Sequence, residues 1–137
     1  MNAAMGGERI DPKIPKAGCK LLPGGNHVEV VGESFYANAL TETIGLAGES
    51  FGGTMLWASL VPDPGNPYDS NAIKVVIAGK QVGHLDRAAA IVFGPVARRM
   101  IELGCEAQCA AMIVGRKGLF GVVLDLGSPE DCLKELG

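Results

Sequence analysis

The feature that most constrains the fold is a pair of short apolar segments joined by a tight turn. The segments "NAIKVVIAG" and "KQVGHL" meet at "AGK", within residues 71–85. Such segments around a tight, glycine-containing turn are typical of a β-hairpin. The turn-rich stretch "PGNPYDSN" precedes them, and Asp86, a residue suited to cap a helix, follows. The sequence therefore predicts antiparallel strands that lead directly into a helix.

The rest of the chain supplies more strands and one main helix. Strands are predicted for "HVEVVG", "GGTMLWASLVPD", "EAQCAAMIVG" and "LFGVVLDL", and a short helix for "SFYANALTETIGLA". Both faces of the second strand are mostly apolar, so we expect it inside a closed or covered sheet, with Trp57 in the core. No strand–helix–strand unit repeats, which argues against a doubly wound parallel sheet. These patterns favour a small mixed β-barrel or curled sheet.

The main helix is predicted over "RAAAIVFGPVARRMIELG", which starts at Arg87. Asp86 should cap its start and Gly104 its end. Because Pro95 lies inside this segment, we expect a kink or a break near Gly94. The apolar positions expected to pack inward are Ala90, Val92, Ala97, Met100, Ile101 and Leu103.

The length of 137 residues fits one domain. Residues 1–25 are rich in Gly, Pro and Lys without periodicity, so we expect a flexible N-terminal arm. The folded domain is expected over residues 26–127, with order beginning at His27. Residues 128–137 should form a short C-terminal tail, with Ser128 as the cap of one helical turn.

Composition narrows the classes of function. The net charge of −3 argues against a nucleic-acid binder that relies on a broad basic surface, although it allows a small basic site. The spacing of Cys105 and Cys109 is not that of a zinc knuckle, and His27 and His84 lie far from them in sequence. We therefore expect no metal and no cofactor.

The sequence shows neither a signal peptide nor an apolar segment that could span a bilayer, so we expect a cytoplasmic protein with reduced thiols and no membrane partner.

Several reactive side chains gather around the predicted hairpin. Tyr68 offers an aromatic ring, the carboxylate of Asp69 can only accept hydrogen bonds, and Arg87 in the first helical turn favours a nearby anion such as phosphate. Each has a structural alternative: Asp69 could close an Asx turn, Tyr68 could be a core aromatic, and His84 could be a structural histidine. An enzyme is not indicated, because the histidines lack a nucleophile context and the glycines form no phosphate-binding loop.

The segments "VVGESFY", "LVPDPGNPYDSNAIKV" and "GKQVGHLDR", followed by a helix and two strands, resemble a HIRAN domain over residues 28–126. This resemblance implies a modified OB-like barrel, so the expected fold is an OB-like or SH3-like β-barrel of about six strands. It would carry one main helix, kinked, and a short helix in its N-terminal half. It also implies a non-catalytic module that binds DNA, with the 3′ end of single-stranded DNA held in the eukaryotic relatives.

The resemblance assigns roles to individual residues. Tyr68 would stack on the terminal base and Asp69 would accept a hydrogen bond from the 3′-hydroxyl. His84 matches the histidine of "VGHL", and Arg87 lies where DNA-binding relatives carry a basic residue for phosphate.

Further candidates come from the flanking segments. Phe35 stands where a second stacking aromatic is expected, and Phe120 matches an aromatic that would wedge against a duplex end. Ser34 replaces an arginine of the eukaryotic domain, which removes one phosphate contact. The other basic candidates for phosphate contacts are Lys74, Arg116 and Lys117.

Two hypotheses follow. The first is a binding module for single-stranded DNA ends, which would act in DNA repair or at replication forks, be associated with the nucleoid, and have a helicase or nuclease as candidate partner. The second is a protein-interaction or scaffold domain that kept the fold and lost DNA binding, suggested by the net acidity and Ser34. A cleft of negative potential around Tyr68, or a buried Tyr68 side chain, would favour the second hypothesis.

Overall fold

The computed structural model describes residues 11–32, 36, 55–115 and 120–137. The predicted helix over residues 34–47 lies outside this range, apart from Tyr36. The described strands are β1 (Lys20–Leu21), β2 (Asn26–Val31), β3 (Met55–Pro62), β4 (Ile73–Ile77), β5 (Lys80–Leu85), β6 (Ala107–Val114) and β7 (Gly121–Leu126). The described helices are α1 (Arg87–Val92), α2 (Gly94–Leu103) and α3 (Pro129–Leu136).

The sheet closes into a barrel of six strands. Its order runs β6–β3–β4–β5–β2–β7, and β7 pairs again with β6, with every neighbouring pair antiparallel. Closure removes the open edges that a flat sheet would expose. β1 lies outside the ring and pairs in parallel with the start of β6. The predicted OB-like β-barrel is thus confirmed.

Strand alternation decides which side chains of β3 form the core. Leu56, Ala58 and Leu60 point inward and are fully buried, whereas Met55 and Val61 are exposed on the outer face. Trp57 lies on that outer face and is half-buried, so its predicted place in the core was wrong. Because both faces of this strand are mostly apolar, its sequence alone does not specify the inward face.

The predicted hairpin of β4 and β5 is confirmed. Its two turn residues, Ala78 and Gly79, both have positive φ (52° and 80°), as a type I′ turn requires. The register shifts between Val75 and Val76, whose partners are Gly83 and Gln81, so β5 carries one extra residue there.

The main helix is divided as the sequence predicts. Asp86 caps α1, because its Oδ1 accepts a hydrogen bond from the Ala89 backbone N at 2.7 Å. α1 ends at Val92, α2 begins at Gly94 just before Pro95, and Gly104 ends α2 with φ 61°.

The buried face of the two helices differs in part from the prediction. Ala90 and Met100 are buried as expected, but Phe93 and Val96 supply the other fully buried side chains. The break between α1 and α2 interrupts the helical spacing on which that prediction rested. Val92, Ile101 and Leu103 are therefore exposed and were wrongly assigned to the core.

Both ends of the described chain contact the barrel. After β1, Leu22 is buried, and its backbone N donates to Gln108 O at 2.8 Å. At the other end Ser128 caps α3 by accepting from Asp131 N at 3.1 Å, and Cys132 and Leu136 are buried. The division into an arm, a domain over 26–127 and a tail stays a prediction. None of the helices within the described ranges is long and apolar enough to cross a membrane.

Candidate functional site

The loop between β3 and β4 is held by hydrogen bonds from its own side chains. Asn66 Oδ1 accepts from the backbone N of Tyr68 (2.8 Å) and of Asp69 (3.1 Å). Asn66 Nδ2 donates to Asp63 Oδ2 at 3.1 Å, and Asp69 Oδ1 accepts from Asn71 N at 2.9 Å. The Asx-turn role considered for Asp69 is therefore present, and Asn66 organises the loop as a turn former. These bonds fix the backbone on which Tyr68 stands.

Tyr68 is the most exposed large apolar residue of the described chain, at 88%. The alternative in which Tyr68 is a core aromatic is therefore wrong. The hydrogen bond from the Tyr68 backbone N to Asn66 Oδ1 holds its backbone, while its ring lies in solvent. Such a ring offers a face for stacking.

Asp69 and Arg87 face each other across the gap between the loop and α1. Arg87 Nε lies 3.9 Å from Asp69 Oδ2, with the arginine side chain 75% exposed and the aspartate side chain 23% exposed. Arg87 occupies the first turn of α1, where a positive charge opposes the helix dipole. The Asp69 carboxylate offsets that cost, and a bound anion would do the same.

Lys74 and His84 are neighbours on the outer face of the same end of the barrel. They are opposite each other in the β4–β5 ladder, and Lys74 Nζ lies 3.9 Å from Asp63 Oδ2. The His84 ring packs against Gly32, where an added Cβ would lie 2.7 Å from His84 Cε1. Gly32 also has φ +83°, a backbone conformation that favours glycine. Both the close approach of His84 and the backbone conformation therefore favour glycine at this position.

Phe120 lies just before β7, the strand that pairs with β2. It is half-buried and packs against the core. The predicted residues Phe35, Arg116 and Lys117, and also Ser34, lie outside the described residues.

The charges at this end do not add up to a basic patch. Both described cations, Lys74 and Arg87, face a carboxylate at 3.9 Å. Asp63 accepts a hydrogen bond from Asn66 and pairs with Lys74, a role that was not predicted from the sequence. Its position three residues before Asn66 is the sequence feature that could have indicated it. Exposed ion pairs of this kind contribute about 0–1 kcal/mol, so a phosphate can compete for either cation.

All four cysteines are free, and burial raises the pKa of the Cys109 thiol to about 12. Within the ranges that the structure covers, no group of three or more His, Cys, Asp or Glu side chains is placed to hold a metal ion.

The closed antiparallel barrel with an outer strand and three described helices places the chain in the class of small OB-like barrel domains. The family model of the HIRAN domain matches residues 20–116, more than half of the chain. The chain therefore belongs to the HIRAN domain family. HIRAN domains are known as DNA-binding modules and are not catalytic by themselves.

The comparison with solved structures found a crystal structure of the HIRAN domain of human HLTF. It is 26% identical in sequence, with a TM-score of 0.46, and the match covers 82% of this chain and 86% of that chain. The comparison with curated proteins found no match.

Proposed function

We propose that this HIRAN domain binds the 3′ end of single-stranded DNA at the end of the barrel formed by the β3–β4 loop and the start of α1. The observation that carries the proposal is that the exposed Tyr68 directly precedes Asp69, whose carboxylate faces Arg87 at 3.9 Å. A strand end presents a base face, a terminal hydroxyl and phosphates, and these three side chains match them in kind.

Tyr68 would supply the stacking energy. Base–aromatic stacking contributes about 1–3 kcal/mol per base. Because the ring is already in solvent and its backbone is fixed by Asn66, the domain need not rearrange to offer it. By the family resemblance, Phe35 would be the second aromatic that stacks on the terminal nucleotide. Phe120 would contact a duplex end.

Asp69 would distinguish a free hydroxyl from a phosphate. Its Oδ1 accepts from Asn71 N, whereas its Oδ2 faces Arg87 at 3.9 Å, which is too long for a hydrogen bond. Oδ2 therefore keeps the capacity to accept a hydrogen bond from a 3′-hydroxyl. A 3′-phosphate at the same place would be repelled by the carboxylate.

Arg87 would contact a phosphate, with Lys74, His84, Arg116 and Lys117 as further polar or basic candidates. Since Arg87 and Lys74 each face an acid, affinity should be modest. We expect about two to four phosphate contacts, which corresponds to a slope of roughly −1.4 to −2.8 in a plot of log affinity against log salt for a single strand.

In the cell this activity would serve DNA repair or replication-fork processing in the cytoplasm, with the domain at the nucleoid. A helicase or nuclease is the partner class that we propose, since a domain that holds strand ends without catalysis needs an enzyme to act on them.

The proposal is tested by fluorescence anisotropy with oligonucleotides of one sequence, labelled at the 5′ end and ending in a 3′-hydroxyl or a 3′-phosphate. We expect tighter binding of the hydroxyl end, and we expect Asp69→Asn to reduce that preference more than it reduces affinity for the hydroxyl end. Asp131→Asn, an exposed acid in α3, is the matched control for net charge. Equal affinity for both ends in the unmodified protein would exclude end recognition.

A protein-interaction role is the second candidate. The observation in its favour is the excess of carboxylates at the site, where Asp63, Asp69 and Asp86 stand against Lys74 and Arg87. Absence of binding to either oligonucleotide at low salt, from a protein that is folded by circular dichroism, would favour this role.

A further inference from the structure

A cavity of about 510 Å³ lies on the outer face of the barrel, away from the β3–β4 loop. It exists because the ladder between β3 and β4 ends at the pair Ser59–Val76, so the chain separates around Trp57 and Ala78. Residues 11–17 cover the gap, and Pro12 O accepts a hydrogen bond from Trp57 N at 2.8 Å. From Pro62, where the loop begins, to Trp57 is five strand residues, or roughly 17 Å.

The floor of the cavity is a buried amide. Gln108 is 7% exposed; its Oε1 accepts from Lys16 N at 2.8 Å and its Nε2 donates to Ser59 Oγ at 3.1 Å. An amide oxygen has two lone pairs and an amide nitrogen has two hydrogens. Its bonds to the described residues therefore leave Gln108 one acceptor position and one donor position.

One wall of the cavity is Trp57, the only tryptophan of the chain. Trp57 is half-buried on the outer face of β3. A large aromatic face beside a donor–acceptor edge is a combination that recognises flat, nitrogen-containing rings. The cavity volume falls within the range of about 300–1,000 Å³ that is typical of small-molecule sites.

The rim selects against anions. Lys16 is the one cation among the described residues that line the cavity, and its Nζ lies 2.7 Å from Glu106 Oε1, so it is already paired with an acid. Asp11 adds a second carboxylate. A phosphorylated ligand would meet a net negative rim, in contrast to the strand-end site, where phosphates are the ligand.

We propose that this cavity binds an uncharged, amino-substituted heteroaromatic molecule of the size of a nucleoside, with Trp57 stacking on the ring. Gln108 reads its amino-donor and ring-nitrogen-acceptor edge, as glutamine does with adenine. This is a second site, separate from the strand-end function, and it requires neither a strand end nor a phosphate.

The single tryptophan makes the test direct. Trp57 fluorescence is measured while the full chain is titrated with adenosine, inosine or adenosine monophosphate. We expect a saturable change with adenosine. Inosine, which presents an oxygen acceptor in place of the amino group, should bind about tenfold more weakly or worse. The monophosphate should bind roughly threefold more weakly or worse, because of its charge. No saturable change with adenosine, or equal affinity for adenosine and inosine, overturns the proposal without any variant.

Variants then locate the response. Val76→Phe places a larger side chain in the cavity and should abolish the adenosine response, while Val114→Phe, on an exposed part of the same outer face, should leave it intact. Tyr68→Ala should also leave it intact, which separates this site from the strand-end site. Circular dichroism melting establishes that each variant is folded. A response that Tyr68→Ala removes and Val76→Phe retains would place adenosine at the strand-end site and refute the proposal.

Discussion

The β3–β4 loop and the C-terminal corner of the barrel, formed by Leu126, Cys132 and Leu136, are held in place by different forces. The loop is fixed by hydrogen bonds between side chains and backbone, and it leaves Tyr68 88% exposed. In the C-terminal corner each of the three residues is at most 3% exposed. The hydrogen bonds of the loop hold the backbone that presents Tyr68 to solvent. The C-terminal corner instead stabilises the fold through burial of apolar side chains. Changes in the two regions should therefore separate binding from stability.

The largest effect should come from the C-terminal corner. Leu126→Ala removes a fully buried side chain and should lower the free energy of unfolding by about 2–5 kcal/mol, measured by urea denaturation. Ile101→Ala, at a position 52% exposed on α2, is the control and should change it by about 0.5 kcal/mol or less. Comparable losses in the two variants would mean that the corner has no special role in stability.

The next effect belongs to the loop and should appear in binding alone. Tyr68→Ala should weaken the binding of a single-stranded oligonucleotide by about 1–3 kcal/mol, because one stacking contact is lost. Its free energy of unfolding should change by about 0.5 kcal/mol or less, since the ring is in solvent. Tyr68→Phe keeps the ring and is the matched control. If Tyr68→Phe weakens binding as much as Tyr68→Ala, the ring does not act by stacking.

The caps of α1 and α3 lie in the two regions and can be removed in the same way. Asp86→Ala and Ser128→Ala each remove a side-chain oxygen that accepts from a backbone N–H, at the start of α1 and of α3 respectively. Each should destabilise the domain by about 1 kcal/mol in the same denaturation experiment. Only Asp86→Ala should also weaken DNA binding, because fraying of α1 releases Arg87. Equal effects of the two variants on DNA binding would indicate that α1 does not position the site.

At neutral pH the smallest effect is expected from the buried thiols, whose contribution changes only in alkaline solution. Burial raises the pKa of Cys109 from 9.0 to about 12, with the neighbouring Cys132 as the next cause. The native state therefore keeps a proton that the unfolded chain releases, so this contribution to stability is complete below about pH 9 and declines as pH rises toward 12. Denaturation at pH 7, 8, 9 and 10 should show little change up to pH 8 and a decline above pH 9. Cys109→Ala should show a shallower decline, and an unchanged slope would assign the effect to other groups.

Local signals account for what could be predicted. The β4–β5 hairpin, the cap at Asp86 and the break at Gly94 follow from short-range chemistry that acts within a few residues. The turn-forming role of Asn66 and the Asx turn of Asp69 have the same origin. For this reason the hairpin and the loop beside the site were the best-predicted parts of the molecule.

Tertiary contacts account for what could not be predicted. Both faces of β3 are mostly apolar, so the pattern within the strand does not specify which face packs into the barrel. Contacts with the other strands determine it, and Trp57 lies on the outer face. β1, two residues long, exists only through its pairing with β6. The ion pairs of Asp63 with Lys74 and of Asp69 with Arg87 depend on how the loop folds back over the barrel end. The placement of the charges was therefore visible only in the structure.

The most direct test of the central claim is an NMR titration of the ¹⁵N-labelled domain with a short oligonucleotide that carries a free 3′-hydroxyl. We expect the largest amide shifts at Asn66, Tyr68, Asp69 and Arg87. The amides of Leu126, Cys132 and Leu136 should scarcely move, and the same oligonucleotide with a 3′-phosphate should give smaller shifts at the loop. Shifts concentrated away from the loop and α1, or equal shifts with both strand ends, would show that the domain does not recognise a 3′-hydroxyl end at this site.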